Sequence, residues 1–342
     1  MQKPKRRRKM KKNNIFKSLL NSREFSLIIV LILLCAFVQI RNDSFLTQAT
    51  ISDLLKNYST TMTISLGMML VLLIGGIDIS VGAEMAFAGM CASLLMRDGV
   101  YSSTLVMFLV SILIGTFCGM LVGVIIAKGH IQPIIATLGL CNIYRGATYL
   151  ASNSAWVSAY QFESAFKKFA QTKFLTGGLM NNLVFIMLVC YIIFFFIMKW
   201  TIFGRRIYAV GSNPEAAAVS GINVDKIKFF AYTLMGAFSG LTGAMYTSLY
   251  ASAMNDMGTG IEMDAIASCV LGGVSLLGGQ GSVIGVFLGA LMMSIISKAL
   301  PLIGISQFWK QAIKGAIILI AIIINTITQR TMDRNALKER EI

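Results

Sequence analysis

The chain has 342 residues, of which 56% are hydrophobic and 13% charged, and its formal net charge is +15. So apolar a composition excludes a soluble globular domain, because large apolar areas would stay wet. It is the composition of an all-α, polytopic membrane protein.

Much of the positive charge lies in "KPKRRRKMKK", ahead of the first apolar run. No aromatic stacking platform accompanies it, so no nucleic acid partner is expected. Residues 1–23 read as a basic cytoplasmic tail that fixes orientation and touches anionic membrane lipid. The tail is too basic, and the run behind it too long, for a secretory signal.

Ten apolar runs follow, near 24–41, 60–75, 82–96, 103–127, 132–150, 179–200, 229–250, 263–277, 281–299 and 310–328. About 20 residues cross ~30 Å of hydrocarbon as a helix. The runs predict about ten transmembrane helices in one membrane domain over 24–328, with a cytoplasmic loop at 201–228 and a C-terminal tail at 329–342. Ten crossings put both termini in the cytoplasm of a cell with the protein in its cytoplasmic (inner) membrane. Lys128, Arg205, Arg206, Lys226, Lys228, Arg330, Arg334, Lys338 and Arg340 then obey the positive-inside rule. Lys167, Lys168 and Lys173 break it, in an external loop over about 151–178.

Between the second and third runs, "LLIGGIDISVG" (72–82) has a counterpart in "CVLGGVSLLGG" (269–279), which suggests two internally related halves. In this alignment Gly75 and Gly76 answer Gly272 and Gly273, and Asp78 answers Ser275. Each copy ends a helix at paired glycines and starts another within about eight residues, as a tight turn or broken helix would. Gly76 and Gly273 are expected to permit close packing or a positive φ, and Gly82 closes the first motif. Asp78 has two readings: an N-cap of the next helix, with Ser80 competing, or a translocation-path residue at membrane depth.

The fifth run carries "LGLCNIYRGATY". Asn142 and Tyr144 are candidates either for the solute pathway or for interhelical hydrogen bonds. Arg145 must face a cavity, a partner or the interface, and snorkelling accounts for it.

In the loop after the sixth run stands "FGRRIYAVGSNPEAAAVSGINVDKIKF", 203–229. Asn213 is a good N-cap, Pro214 suits the first helical position, Glu215 complements the dipole and Gly221 is a stop signal. A helix over about 214–220 follows, ~10 Å long, which suits a groove on another protein.

Chemistry of its own is not expected. The six cysteines lie within apolar runs without CxxC spacing, and His130 is the single histidine. No metal site, cofactor or catalytic residue is predicted, and without a P-loop any nucleotide energy must come from a partner. An ion-coupled secondary transporter of small polar solutes is the alternative. It predicts acidic groups buried mid-helix, whereas Asp78, Glu84 and Asp264 fall near helix ends.

"EAAAVSG" fits the E-A-A-x-x-x-G loop of ABC import permeases. "GRRIYAVGSNPEAAAVSGI", "GGIDISVG" and "VLGGVSLLGGQGSVIGVFLGALM" resemble the ribose-type branch, which includes autoinducer-2 permeases. "IIATLGLCNIYRG" and "GTGIEMDAIASCVLGGVSLLGGQGS" are as similar to autoinducer-2 and rhamnose permeases. The resemblance spans about 60–325. It implies a permease subunit that works with a second permease subunit (a copy or a paralogue), ATP-binding subunits and an extracytoplasmic substrate-binding protein, importing a sugar or sugar-like ligand. It also assigns ATPase coupling to Asn213, Glu215, Ala216, Ala217 and Gly221.

Overall fold

A computed structural model describes residues 23–173 and 180–302, with separate positions beyond these between 304 and 323. The predicted tails before residue 23 and after 328 lie outside the described residues, as does most of the run at 310–328. Twelve α-helices are present among the described residues: α1 (Arg23–Arg41), α2 (Gln48–Leu73), α3 (Val81–Arg97), α4 (Thr104–Ala127), α5 (Pro133–Ala151), α6 (Ser164–Phe169), α7 (Asn182–Trp200), α8 (Ile202–Ser212), α9 (Pro214–Val219), α10 (Val224–Tyr250), α11 (Ile261–Leu271) and α12 (Val283–Leu302). Four of them, α1, α4, α7 and α12, are long and apolar enough to cross a membrane by length and composition alone.

The first nine predicted runs each coincide with a helix, but two boundaries move by more than five residues. α2 begins twelve residues before its apolar run, where the Thr47 side chain accepts from Thr50 N and starts the helix. Its first three turns, "QATISDLLKNYS", are amphipathic rather than apolar, so hydropathy alone does not find them. α11 ends at Leu271 rather than 277, because the glycine turn after it begins at Gly272.

Two helices form the axis of the bundle. From Met62 to Leu73 every residue of α2 is buried, and α10 is buried along most of its length. α10 packs most extensively on α4 through glycines from both sides. A Cβ on Gly115 would overlap Gly236 O, one on Gly119 would come within 2.5 Å of Tyr232 O, and one on Gly240 would overlap Ser111 O. Lipid is as apolar as any side chain, so bare backbones approaching closely supply the packing attraction that the hydrophobic effect does not. Gly89 of α3 meets Gly243 of α10 in the same way, and Gly272 beside α11 meets Gly285 of α12.

Outside this axis, α1 and the turn after it lean on α12 through Val38, Phe45, Ile295 and Ala299, and Lys298 of α12 pairs with Asp53 of α2. Residues 152–173, between α5 and α7, are folded rather than open. A 3-10 turn at Ala159–Gln161 and α6 bury Phe162 and Phe166, which pack with Phe108 of α4. An isolated bridge pairs Val157 with Ala253, and Ser248 Oγ donates to Phe166 O at 3.0 Å. Lys167 and Lys168 end α6.

Candidate functional site

The two glycine motifs close their helices with the same backbone bonds. After α2, Gly75 N donates to Leu72 O and Gly76 N to Val71 O; after α11, Gly273 N donates to Val270 O and Val274 N to Cys269 O. Gly75 (φ +74°) and Gly273 (φ +82°) hold the left-handed positions, where glycine avoids the Cβ clash. The structural register of the repeat is therefore Gly75 with Gly273, one residue away from the alignment that pairs Gly76 with Gly273. Sequence identity misplaced it because a glycine pair matches in two frames, and only φ decides between them. Gly76 has a different reason to be glycine: a Cβ there would overlap the hydroxyl of Tyr232 in α10. Gly82 likewise packs against Gly258 O.

Asp78 is fully buried. Its Oδ1 accepts from Ser80 N at 2.9 Å and from Ser80 Oγ at 2.5 Å, while Ser80 itself occupies the N-cap position of α3 without a side-chain cap bond. Asp78 thus steadies the capping residue from two positions ahead. In this register Ser275 answers Ile77, and it makes a turn of the same kind one position earlier, accepting from Leu277 N at 3.2 Å. One turn into α3, Glu84 is also fully buried, and its Oε1 lies 3.4 Å from Ser80 Oγ. Asp78 Oδ2, Glu84 Oε2, Tyr232 OH and Ser239 Oγ are buried without hydrogen-bond partners among the described residues. The turn is therefore a polar spot inside an apolar bundle, formed by α3 and α10 together. Sequence reading placed the carboxylates near helix ends and so underrated how deeply α10 covers them.

Two recesses lie at opposite ends of α2, one of them beside this spot. A cavity of about 230 Å³ beside Gly75 and Gly76 is lined by His130, Gln132, Lys228 and Tyr232. The other, about 470 Å³, is lined by Gln48, Asp53, Lys56, Gln171 and Asn181.

The α5 candidates separate. Tyr144 is buried, donates to Cys118 O of α4 at 2.9 Å and stacks on Phe87, which matches the interhelical reading. Asn142 is exposed on the face of α5 turned away from the bundle, its Nδ2 donating to Leu138 O at 2.9 Å. Arg145 does not snorkel. Its Nη1 donates to Asn255 O at 2.8 Å and Met257 O at 3.0 Å, tying α5 to the loop between α10 and α11.

The 213–221 segment forms the predicted helix, one residue shorter. Asn213 Oδ1 accepts from Ala216 N at 2.9 Å, Pro214 takes the first position, and Gly221 (φ +82°) ends α9 as Ile222 N donates to Ala217 O. Glu215, Ala216 and Gly221 are exposed, but Ala217 is buried and faces the chain's own core. It positions α9 and is not free for a partner. The residue that sequence reasoning missed is Val219, 92% exposed on a six-residue helix. Helical spacing from Ala217 was the available signal, since positions two apart point to different faces.

Comparison with known proteins places these elements in a family. The family described as "Branched-chain amino acid transport system / permease component" matches residues 50–322. The ribose import permease of Escherichia coli K12 is 35% identical over 307 residues, covering 88% of this chain and 93% of that protein. The galactose/methyl galactoside import permease of the same organism is 33% identical over 317 residues, covering 89% and 94%. An autoinducer 2 import system permease of Salmonella choleraesuis is 31% identical over 328 residues, covering 95% and 92%. No solved structure matches the chain. Polytopic, helical and matched over most of its length, the chain belongs to this family of membrane permease components, in the ribose-type branch of ABC import permeases.

Proposed function

We propose that the protein is the membrane-spanning subunit through which a sugar or sugar-like solute, of the ribose-type monosaccharide, rhamnose or autoinducer-2 class, enters the cytoplasm. A separate ATP-binding subunit drives it, an extracytoplasmic binding protein delivers the solute, and a second permease subunit completes the pathway. Both termini and the 201–228 loop face the cytoplasm, on which side the basic residues of that loop gather. The family description names branched-chain amino acids. The relatives favour a sugar, since those at 31–35% identity over most of this chain carry ribose, galactose/methyl galactoside and autoinducer 2 in their names. The recess at the start of α2 combines Gln48, Ser52, Gln171 and Asn181 with the charged Asp53, Lys56 and Lys173, a set able to hydrogen-bond a polar solute.

The single observation that carries the reading is α9: a short, doubly capped helix seated on the bundle by Ala217 and presenting Val219, Ala216 and Glu215 outward. Such a helix is too short to span or to anchor itself in headgroups, and its exposed side chains are small enough to enter a groove. Glu215, Ala216 and Val219 meet the ATP-binding subunit, while Asn213 and Gly221 hold the helix ends. Placing a charge at Val219 tests this. Val219→Asp leaves the permease folded in the membrane, but the ATP-binding subunit no longer co-purifies, or hydrolyses ATP without uptake of labelled solute. Co-purification and uptake both at wild-type level would reduce α9 to an ordinary surface turn.

A further inference from the structure

α8 ends where both glycine turns meet. Gly279 N, in the second turn, donates to Leu73 O, the last carbonyl of α2, at 2.9 Å. Gly211, one turn of chain ahead of α9, is pressed on that same bond: a Cβ there would overlap Leu73 O and come 2.6 Å from Gly279 N. A Cβ on Gly278 would come 2.8 Å from Gly211 O and 2.9 Å from Gly75 N, and one on Gly279 would come 2.7 Å from Ser212 Cα. Four glycines thus bring three stretches of backbone, distant in sequence, into direct contact. One side chain fastens them, as Tyr208 OH of α8 donates to Gly281 O at 2.9 Å.

Only Asn213, in extended conformation, separates α8 from α9. A displacement of α9 therefore reaches Gly211 with little slack between, and Gly211 bears on the end of α2 and on the turn before α12. The first turn leads on to the Asp78–Ser80–Glu84 spot and α3; the second swings α11 against α12. We propose that Tyr208 and Gly211 are positioning residues of transport, forming a joint that passes motion of α9 to both glycine turns at once. This rests on the reading of α9 as the ATPase-docking helix. Merely stabilising contacts would set how much transporter is folded, whereas a joint sets how much solute moves per ATP.

The test is Tyr208→Phe, which keeps the ring and removes the hydroxyl, alongside Gly211→Ala. Each variant is purified with its ATP-binding subunit, reconstituted with the binding protein in lipid vesicles, and assayed for ATP hydrolysis and uptake in one preparation. The solute is whichever of labelled ribose, galactose, rhamnose or autoinducer 2 the wild type imports. Tyr208→Phe is expected to co-purify the ATP-binding subunit and hydrolyse ATP near the wild-type rate, while solute moved per ATP falls about three- to ten-fold, the scale of one hydrogen bond. Gly211→Ala, which forces the backbones apart, is expected to fall further. An unchanged ratio in Tyr208→Phe, or uptake and hydrolysis falling together, overturns the joint even if Gly211→Ala fails to fold. Failure of the ATP-binding subunit to co-purify with the wild type would instead sink the docking reading and the joint with it.

Discussion

The turn after α2 and the turn after α11 use the same backbone bonds to end a helix, yet they fill the same design with different residues. The first encloses a carboxylate and is roofed by Tyr232; the second has a serine and spends three more glycines, Gly278, Gly279 and Gly281, on contact with α8. Helix termination is thus what the repeat shares, and what each copy packs against is what distinguishes them. A polar spot inside the bundle developed on one side, and a seat for α8 on the other.

This comparison breaks first at its glycines. Gly76→Val drives a branched side chain into Tyr232 and is expected to cost about 3 kcal/mol, the upper range for overpacking. Gly273→Ala instead meets backbone strain at φ +82°, about 1–2 kcal/mol. Folded yield and thermal unfolding of the purified permease report both. Tyr232→Phe should recover part of the loss in Gly76→Ala, because it removes the clashing oxygen, and none of the loss in Gly273→Ala. Equal rescue of the two would mean that they are glycines for the same reason.

Next come the polar residues. Asp78→Ala leaves Ser80 N–H buried without its acceptor and Ser80 Oγ with only the long bond to Glu84 Oε1, an expected loss of about 1–3 kcal/mol, whereas Ser275→Ala removes one long bond, about 0.5–1.5 kcal/mol. A larger effect at Ser275 in the same unfolding assay would contradict the asymmetry. Smallest is Val219→Asp, expected to leave stability within about 0.5 kcal/mol, as surface substitutions do. A larger shift in its unfolding midpoint would mean that Val219 is packed, and would remove it from the docking face.

The sequence reading succeeded where a local rule has one solution. Asn213, Pro214 and Gly221 each have a single good role around a short helix, and they bound α9 to within a residue. Apolar runs located the helices that carry them. It erred where two frames or two faces fit equally well. The glycine pairs align in either register, and the run "EAAAV" does not say which alanine turns inward until α8 and α10 are set beside it. Asp78 and Glu84 stand at a helix start in any listing of the chain, and their depth follows from α10, whose sequence lies some 150 residues away. Arg145 is a similar case, since its two carbonyl partners belong to a loop that bears no mark of receiving an arginine.

The glycine seam between α4 and α10 also orders events in time. α4 is apolar enough to stand in lipid alone, whereas α10 does not reach that apolarity and carries glycines that expose its backbone. α4 ends at Ala127 and α10 begins at Val224, so at ribosomal speeds of about 5–20 residues per second the first waits roughly 5–20 s for its partner. During that interval Gly115, Gly119 and Gly123 form an open trough along a finished helix. α10 then enters the bilayer beside a template already shaped for it. The most extensive helix pairing among the described residues therefore waits for most of the chain between its two partners to be made, while α11 and α12 are still to come.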